Sequence, residues 1–149
     1  MELILWRHAD AEGAARGGDL ARPLTPRGRT QAERVAAWLS SRLPPSTRIL
    51  SSPALRCQET AAALGRGAST VAALGPGAGA DALLAAAGWP GAAGTVLVVA
   101  HQPTLGEAAA RALGAPGAAW HVDKGAVWWL SSDARGSIRL RAVQSPDDL

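Results

Sequence analysis

Two short apolar runs, each followed by a histidine, constrain the fold of this chain more than any other feature. Residues 3–6 (LILW) lead into Arg7-His8, and residues 95–100 (TVLVVA) lead into His101. A short, continuous apolar run is typical of a strand buried on both faces, as in the middle of a parallel sheet. Such strands deliver their last residues to the edge of the sheet where α/β folds bind ligands. The sequence therefore predicts that His8 and His101 lie at the rim of one cleft.

Helical and strand-like patterns alternate along the rest of the chain. The predicted helices cover residues 26–43, 53–64, 81–87 and a segment from His101 to Gly114, and the further strands cover residues 48–51, 70–73, 126–130 and 137–143. This order predicts a three-layer α/β/α sandwich around a mostly parallel sheet, with an antiparallel hairpin at the C-terminal end. A length of 149 residues fits one domain over residues 1–149, with residues 144–149 as a frayed tail.

Composition and charge exclude several classes of protein. Fifteen basic and twelve acidic residues leave a formal charge of +3, and the basic residues are scattered, so we expect no nucleic-acid partner. Residues 71–100 carry only one charge, Asp81, but glycines together with Pro76 and Pro90 divide them into pieces too short to span a membrane. The lack of a signal-peptide pattern and the single cysteine, Cys57, favour a reducing, cytoplasmic compartment.

Cys57 and His121 are expected to have no part in the chemistry. A cysteine phosphatase needs an arginine six residues after its nucleophile, and position 63 is alanine, so Cys57 is predicted to be a buried helix residue. His121 has no motif around it and is predicted to be structural or solvated. The three histidines lack the close spacing of common zinc sites, so we predict no metal.

Two further arginines stand at predicted helix starts. Arg22 precedes a helix with Thr25 as its N-cap and Pro26 at its first position, and Arg56 lies in the first turn of the helix after Ser52-Pro53. A helix start behind His101 also offers free backbone N–H groups, which favour a phosphate-like anion. Imidazoles beside guanidinium groups at a sheet edge indicate chemistry on an anion.

Four motifs in order carry a resemblance to a known family. They are Arg7-His8 after the first strand, Arg22-Pro23-Leu24-Thr25, Ser52-Pro53-x-x-Arg56 and Ala100-His101-x-Pro103. Together they resemble the histidine phosphatase superfamily, and within it the SixA-type phosphohistidine phosphatases. The sequence departs from the usual pattern at Ala9, where glycine is common, and at Gln102, where asparagine or leucine is common. Neither change removes a reacting group.

The resemblance implies a nucleophile and a set of groups that bind phosphate. His8 is the implied nucleophile, and Arg7, Arg22, Arg56 and His101 are the implied ligands of the phosphoryl oxygens, with Gln102 as a further phosphate-binding residue. A neutral imidazole can attack phosphorus, and nearby arginines favour the neutral form by lowering its pKa. Because arginines supply the counter-charge, no metal or other cofactor is expected.

The proton source for the leaving group is the least defined part of the site. Between Arg56 and His101 the only carboxylates are Glu59 and Asp81, both at helix positions, which leaves Asp10 as a weak candidate for the donor. An imidazole protonated on its far nitrogen leaves as a neutral group and needs no strong acid. This favours phosphohistidine on a protein such as a histidine-phosphotransfer domain as the substrate. The alternatives are a phosphatase of small phosphate esters and a non-catalytic phospho-binding module.

Overall fold

Strand β1 (Glu2–Arg7) lies in the interior of a six-stranded sheet, as its apolar run predicts. The structure is a computed structural model that describes residues 1–149. Residues 3–6 are fully buried. On one side β1 pairs in parallel with β4 (Thr95–Ala100), and on the other it pairs antiparallel with β5 (Val127–Ser132).

The remaining elements complete a mostly parallel sheet with helices on both faces. They are α1 (Pro26–Ser40), β2 (Arg48–Ser51), α2 (Leu55–Ala62), β3 (Ser69–Thr70), α3 (Ala80–Ala87), α4 (Thr104–Ala112) and β6 (Ile138–Gln144). The strand order is β3-β2-β4-β1-β5-β6. Strands β1 to β4 run parallel, and β5 and β6 form the antiparallel hairpin.

Alternate side chains of β1 supply the two halves of the core. Leu3 and Leu5 belong to the cluster that includes residues of α3 and α4, whereas Ile4 and Trp6 belong to the cluster that includes residues of α1 and α2. Side chains in a strand point to opposite faces in turn, so both faces of the sheet are covered. The predicted three-layer α/β/α architecture is confirmed.

Helix α1 begins as predicted and ends earlier than predicted. The Thr25 hydroxyl accepts a hydrogen bond from Gly28 N at 3.0 Å, and Pro26 occupies the first helical position. The helix ends at Ser40, short of the predicted residue 43, because the Ser41 hydroxyl and the Arg42 guanidinium both donate to the carbonyl oxygen of Trp38. Such side-chain bonds compete with the helical backbone bonds of the last turn.

The other predicted helix and strand boundaries that differ from the structure lie where side chains or tertiary contacts shape a turn. Helix α2 starts at Leu55, two residues later than predicted, because the Ser52 hydroxyl accepts from Ala54 N in the preceding turn. The strand predicted at 70–73 is only Ser69–Thr70, followed by a 3₁₀ turn. The predicted frayed tail is also wrong. Gln144 belongs to β6, and residues 146–148 form a 3₁₀ turn against α1, with Pro146 buried.

No helix of the structure combines the length and the apolar character needed to cross a membrane.

Gly28 sets how closely α1 approaches the end of β1, which leads to a stability prediction. A Cβ atom at this position would lie 1.9 Å from the carbonyl oxygen of Asp10, whereas one at Gly13 meets nothing within 4 Å. We expect Gly28→Ala to lower the free energy of unfolding in urea by about 2 kcal/mol, although alanine favours helices. Gly13→Ala, the matched control, is expected to change it by less than about 0.5 kcal/mol. An unchanged urea midpoint for Gly28→Ala contradicts this close packing.

Candidate active site

The parallel pairing of β1 and β4 brings two imidazoles together. Arg7 lies opposite Ala100, and His8 N donates to the carbonyl oxygen of Ala100 at 3.1 Å. The chain therefore leaves both strands at the same point, and the ring centroids of His8 and His101 are 5.3 Å apart at an angle of 58°. Both residues are largely buried. The convergence predicted from the two apolar runs is confirmed.

The His8 ring is held in the tautomer that a nucleophile needs. Its Nδ1 lies 2.8 Å from the carbonyl oxygen of Ala9, and because a carbonyl only accepts, Nδ1 carries the proton. The Nε2 atom therefore keeps its lone pair. Burial, the largest cause, acts against the Ala9 hydrogen bond and together with the charges of Arg56, Arg7 and Arg22 to lower the pKa of His8 to about 4. The imidazole is neutral at pH 7.

His101 is also neutral, with the opposite tautomer. The Arg56 guanidinium can only donate, so the 3.3 Å contact from its Nη2 makes His101 Nδ1 an acceptor. The proton then lies on Nε2, which donates to the Ser52 hydroxyl at 2.8 Å. Burial, followed by the charge of Arg56, lowers the pKa of His101 to about 3.

Three guanidinium groups from separate segments surround the imidazoles. Arg7 is the last residue of β1 and donates to the Val122 carbonyl oxygen at 2.7 Å. Arg56 lies in the first turn of α2, and Arg22 precedes α1. In each of the three, the Nε atom is buried and has no hydrogen-bond partner. Buried donors without partners are costly, and guanidinium groups in general bind the oxygens of an oxyanion strongly.

Asp19 is a residue of the site that the sequence analysis missed. Its backbone oxygen accepts from Arg56 Nη1 at 2.9 Å, its Oδ2 lies 3.2 Å from Arg56 Nη2, and its Oδ1 lies 3.5 Å from Arg22 Nη1. Arg22 stands three residues away, a spacing that offers a weak signal for this pair. Nothing in the sequence signals the pair with Arg56, which lies in another element.

The structure does not support Asp10 as a proton donor. One carboxylate oxygen of Asp10 accepts from Lys124 Nζ at 2.7 Å, and the other accepts from the Thr25 hydroxyl at 2.8 Å. The bond from Lys124 is the largest cause that lowers the pKa of Asp10, so the group is ionised at neutral pH and holds no proton to give. Asp10 instead ties the end of β1 to the start of α1.

The Gln102 side chain is bound to backbone groups, and its contact with phosphate stays a prediction. Its Nε2 donates to the Trp120 carbonyl oxygen at 2.9 Å, and its Oε1 accepts from Gly106 N at 2.8 Å. The amide therefore binds the first turn of α4 and holds the segment before β5 against it. Glu59, predicted to be a helix-surface charge, also binds backbone, since its Oε2 accepts from Leu24 N at 2.6 Å.

The predictions for Cys57 and His121 agree with their surroundings. Cys57 is fully buried in α2, and burial raises the pKa of its thiol to about 12, so it is no nucleophile. His121 is exposed and lies 3.0 Å from a carboxylate oxygen of Asp123. The structure holds no cluster of three or more histidine, cysteine, aspartate or glutamate side chains that could bind a metal.

A polar cavity of about 470 Å³ adjoins the site on the side of Arg7. No hydrophobic residue lines it, and its walls are Arg7, Asp10, Arg27, Gln31, His121, Asp123, Lys124, Ser145 and Asp147. Both signs of charge are present, so the cavity suits a polar group that carries both hydrogen-bond donors and acceptors.

The fold and the site together define an α/β protein whose sheet edge presents two neutral imidazoles among guanidinium groups. The model of the histidine phosphatase superfamily (branch 1) matches residues 3–75. A protein of Nakamurella multipartitia assigned as the phosphohistidine phosphatase SixA is 32% identical, with a TM-score of 0.82 and 97% and 95% of the two chains covered. This chain belongs to the histidine phosphatase superfamily.

Other solved structures share the fold at lower identity. The protein histidine phosphatase SixA complexed with tungstate is 27% identical, with a TM-score of 0.80 and 99% of each chain covered. An Escherichia coli protein assigned as an α-ribazole-5′-phosphate phosphatase is 23% identical, with a TM-score of 0.74 and 98% of each chain covered, and this likeness concerns the fold alone. No curated protein matches the sequence.

The lowered pKa values of both buried imidazoles lead to a prediction for the free protein. Because burial disfavours the charged form, both rings are expected to stay neutral as the pH falls from 7.5 to 5.5, and His8 is expected to protonate near pH 4. NMR titration of the ring resonances, assigned with His8→Gln and His101→Gln variants, measures this. Free histidine in the same sample titrates near pH 6.5 and serves as the reference. A midpoint above pH 6 for either ring contradicts the prediction.

Proposed function

We propose that this protein is a phosphohistidine phosphatase that acts through a phosphorylated His8. The observation that carries the proposal is the state of His8, a neutral imidazole with its Nδ1 proton held by Ala9 O and its Nε2 lone pair free, near three arginines. The proposed substrate is phosphohistidine on a protein such as a histidine-phosphotransfer domain.

In the first proposed step, His8 Nε2 attacks phosphorus. The new P–N bond forms as the bond between phosphorus and the leaving group breaks, and its electron pair goes to the departing atom. His8 then carries a positive charge that its Nδ1–H shares with the Ala9 carbonyl oxygen at 2.8 Å. Water next attacks phosphorus, the P–Nε2 bond breaks with its electron pair going to Nε2, and both water protons leave with the released phosphate as H₂PO₄⁻, which can pass one of them to the solvent. His8 returns to its neutral form.

Arg7, Arg22 and Arg56 are proposed to bind the equatorial oxygens during both steps. Each has a buried Nε–H without a partner in the protein. Phosphoryl transfer spreads negative charge over three oxygens, and fixed guanidinium groups stabilise that charge in a site with little water. In the free protein, His101 Nδ1 already accepts a hydrogen bond from Arg56 Nη2. His101 is therefore proposed to exchange its present hydrogen bonds for contacts with the phosphoryl group in the substrate complex.

The carboxylates near the site favour an imidazole as the leaving group. Asp10 is ionised and bound by Lys124, so it has no proton to donate, and Glu59 accepts a hydrogen bond from Leu24 N, which holds it on the backbone. An alkoxide is a very basic leaving group and needs such a donor. A phosphohistidine ring that is already protonated on its far nitrogen leaves neutral. The likeness to two SixA structures supports the same substrate class.

A phosphatase of small phosphate esters is the second candidate. The polar cavity of about 470 Å³ beside Arg7 favours it, because that cavity has room for the rest of a small polar phosphate ester. A non-catalytic phospho-binding module, the third class, would have no need of a neutral imidazole with a free Nε2 among the arginines.

Removal of the proposed nucleophile tests the mechanism. We expect His8→Ala to lower turnover of a phosphohistidine peptide by at least about a thousandfold, because no other group replaces the imidazole. Release of inorganic phosphate measures the rate. With the wild-type protein and labelled peptide, rapid quenching in alkali is expected to trap acid-labile label on His8, located by mass spectrometry.

A matched variant and a substrate panel complete this experiment. Arg135→Ala removes an exposed side chain in the turn between β5 and β6 and is expected to keep full activity. Undiminished turnover by His8→Ala contradicts the mechanism. Faster cleavage of sugar phosphates than of the phosphohistidine peptide by the wild-type protein contradicts the substrate class and supports the second candidate.

A further inference from the structure

Asp19 lies between the arginines of the site and the solvent. A short 3₁₀ turn over Asp19–Ala21 carries it, and its side chain is 55% exposed, whereas that of its partner Arg56 is only 5% exposed. The carboxylate forms ion pairs with both Arg56 and Arg22. It therefore places a negative charge at the open side of a group of cations.

The two ion pairs leave Asp19 with unused capacity to accept hydrogen bonds. Its oxygens lie 3.2 Å from Arg56 Nη2 and 3.5 Å from Arg22 Nη1, longer than the roughly 2.7–2.9 Å of strong charge-assisted bonds. An ionised carboxylate offers about four lone-pair positions, and these contacts engage only part of them. The free positions face the solvent, from which a substrate approaches.

We propose that Asp19 determines substrate specificity by accepting a hydrogen bond from the far ring N–H of a phosphohistidine substrate. This inference rests on the proposed function. Asp19 accepts a hydrogen bond from the Arg56 guanidinium, and a bound phosphoryl oxygen would accept one from the same group. The carboxylate and the phosphoryl group would therefore lie close to each other. A single carbon separates the two nitrogens of an imidazole. A ring phosphorylated on one nitrogen thus reaches the carboxylate with the other.

The contact holds the substrate ring in its protonated form, so the imidazole departs without any proton transfer. As the P–N bond breaks, its electron pair goes to the departing nitrogen, while the far nitrogen keeps the proton that Asp19 binds. The ring enters positively charged next to the carboxylate and leaves neutral. A phenolic leaving group has no N–H donor, and the same carboxylate repels its negative charge. Asp19 therefore favours one substrate class over the other.

The experiment compares Asp19→Asn with the wild-type protein on two substrates, a phosphohistidine peptide and para-nitrophenyl phosphate. The asparagine keeps the shape of the side chain and the backbone oxygen that binds Arg56 Nη1. We expect kcat/KM for the peptide to fall roughly 10- to 100-fold, the range for loss of a hydrogen bond between charged groups. The value for para-nitrophenyl phosphate is expected to stay equal or to rise, which also shows that the variant is folded. Glu12→Gln removes a negative charge from the same exposed segment and is expected to change neither rate.

The outcomes separate this inference from the proposed function. Equal losses on both substrates, or no loss on the peptide, overturn the role of Asp19 while the wild-type rate on the peptide upholds the proposed function. A wild-type protein that leaves the peptide intact overturns both. A loss confined to the peptide supports the inference, since a role only in positioning Arg56 would slow both substrates.

Discussion

The parallel ladder between β1 and β4 is the constraint on which the site depends. It sets Arg7 opposite Ala100, so that the next residue of each strand is a histidine at the same edge. A slip of one residue would turn every side chain of β1 to the other face of the sheet. Leu3 and Leu5 are buried on one face, and Ile4 and Trp6 are buried on the other. Both core layers therefore fix the register, and the 5.3 Å between the two imidazoles follows from core packing.

Burial of the two imidazoles among cations makes the site reactive and costs stability. Burial and the arginines both disfavour the protonated form of each ring, so the imidazoles are neutral and His8 Nε2 keeps its lone pair. Asp19 partly neutralises the guanidinium groups of Arg22 and Arg56, whereas Arg7 donates to the uncharged Val122 carbonyl oxygen. The unpaired Nε–H groups of the three arginines cost stability in the free protein. Groups that disfavour the folded state are expected at functional sites, where the rest of the structure holds them in place.

The sequence predicted the parts of the structure that depend on local patterns. The two buried strands, the Thr25 cap of α1 and the arginines at helix starts all follow from residue types at short spacing. The ion pair of Asp19 with Arg56 joins positions 37 residues apart, and the bond from Lys124 to Asp10 joins positions 114 apart. No periodicity or motif encodes such pairs, because loops that meet only in the folded chain create them. The structure of the tail was mistaken, and the side-chain bonds of Gln102 were not foreseen, for the same reason, since both depend on tertiary contacts.

Some residues of the site follow directly from strands and others lie in loops, and this difference also explains how one fold can serve different substrates. Solved structures with this fold include proteins described as phosphatases of phosphohistidine and of α-ribazole-5′-phosphate. In this chain His8 and His101 follow directly from strands, so a rigid sheet holds the two imidazoles that we propose face phosphorus. Asp19 and Lys124 lie in connecting segments, which tolerate exchange without loss of the core. Changes of substrate within such a fold are therefore expected to arise in these segments, where a single carboxylate alters the charge that a leaving group meets.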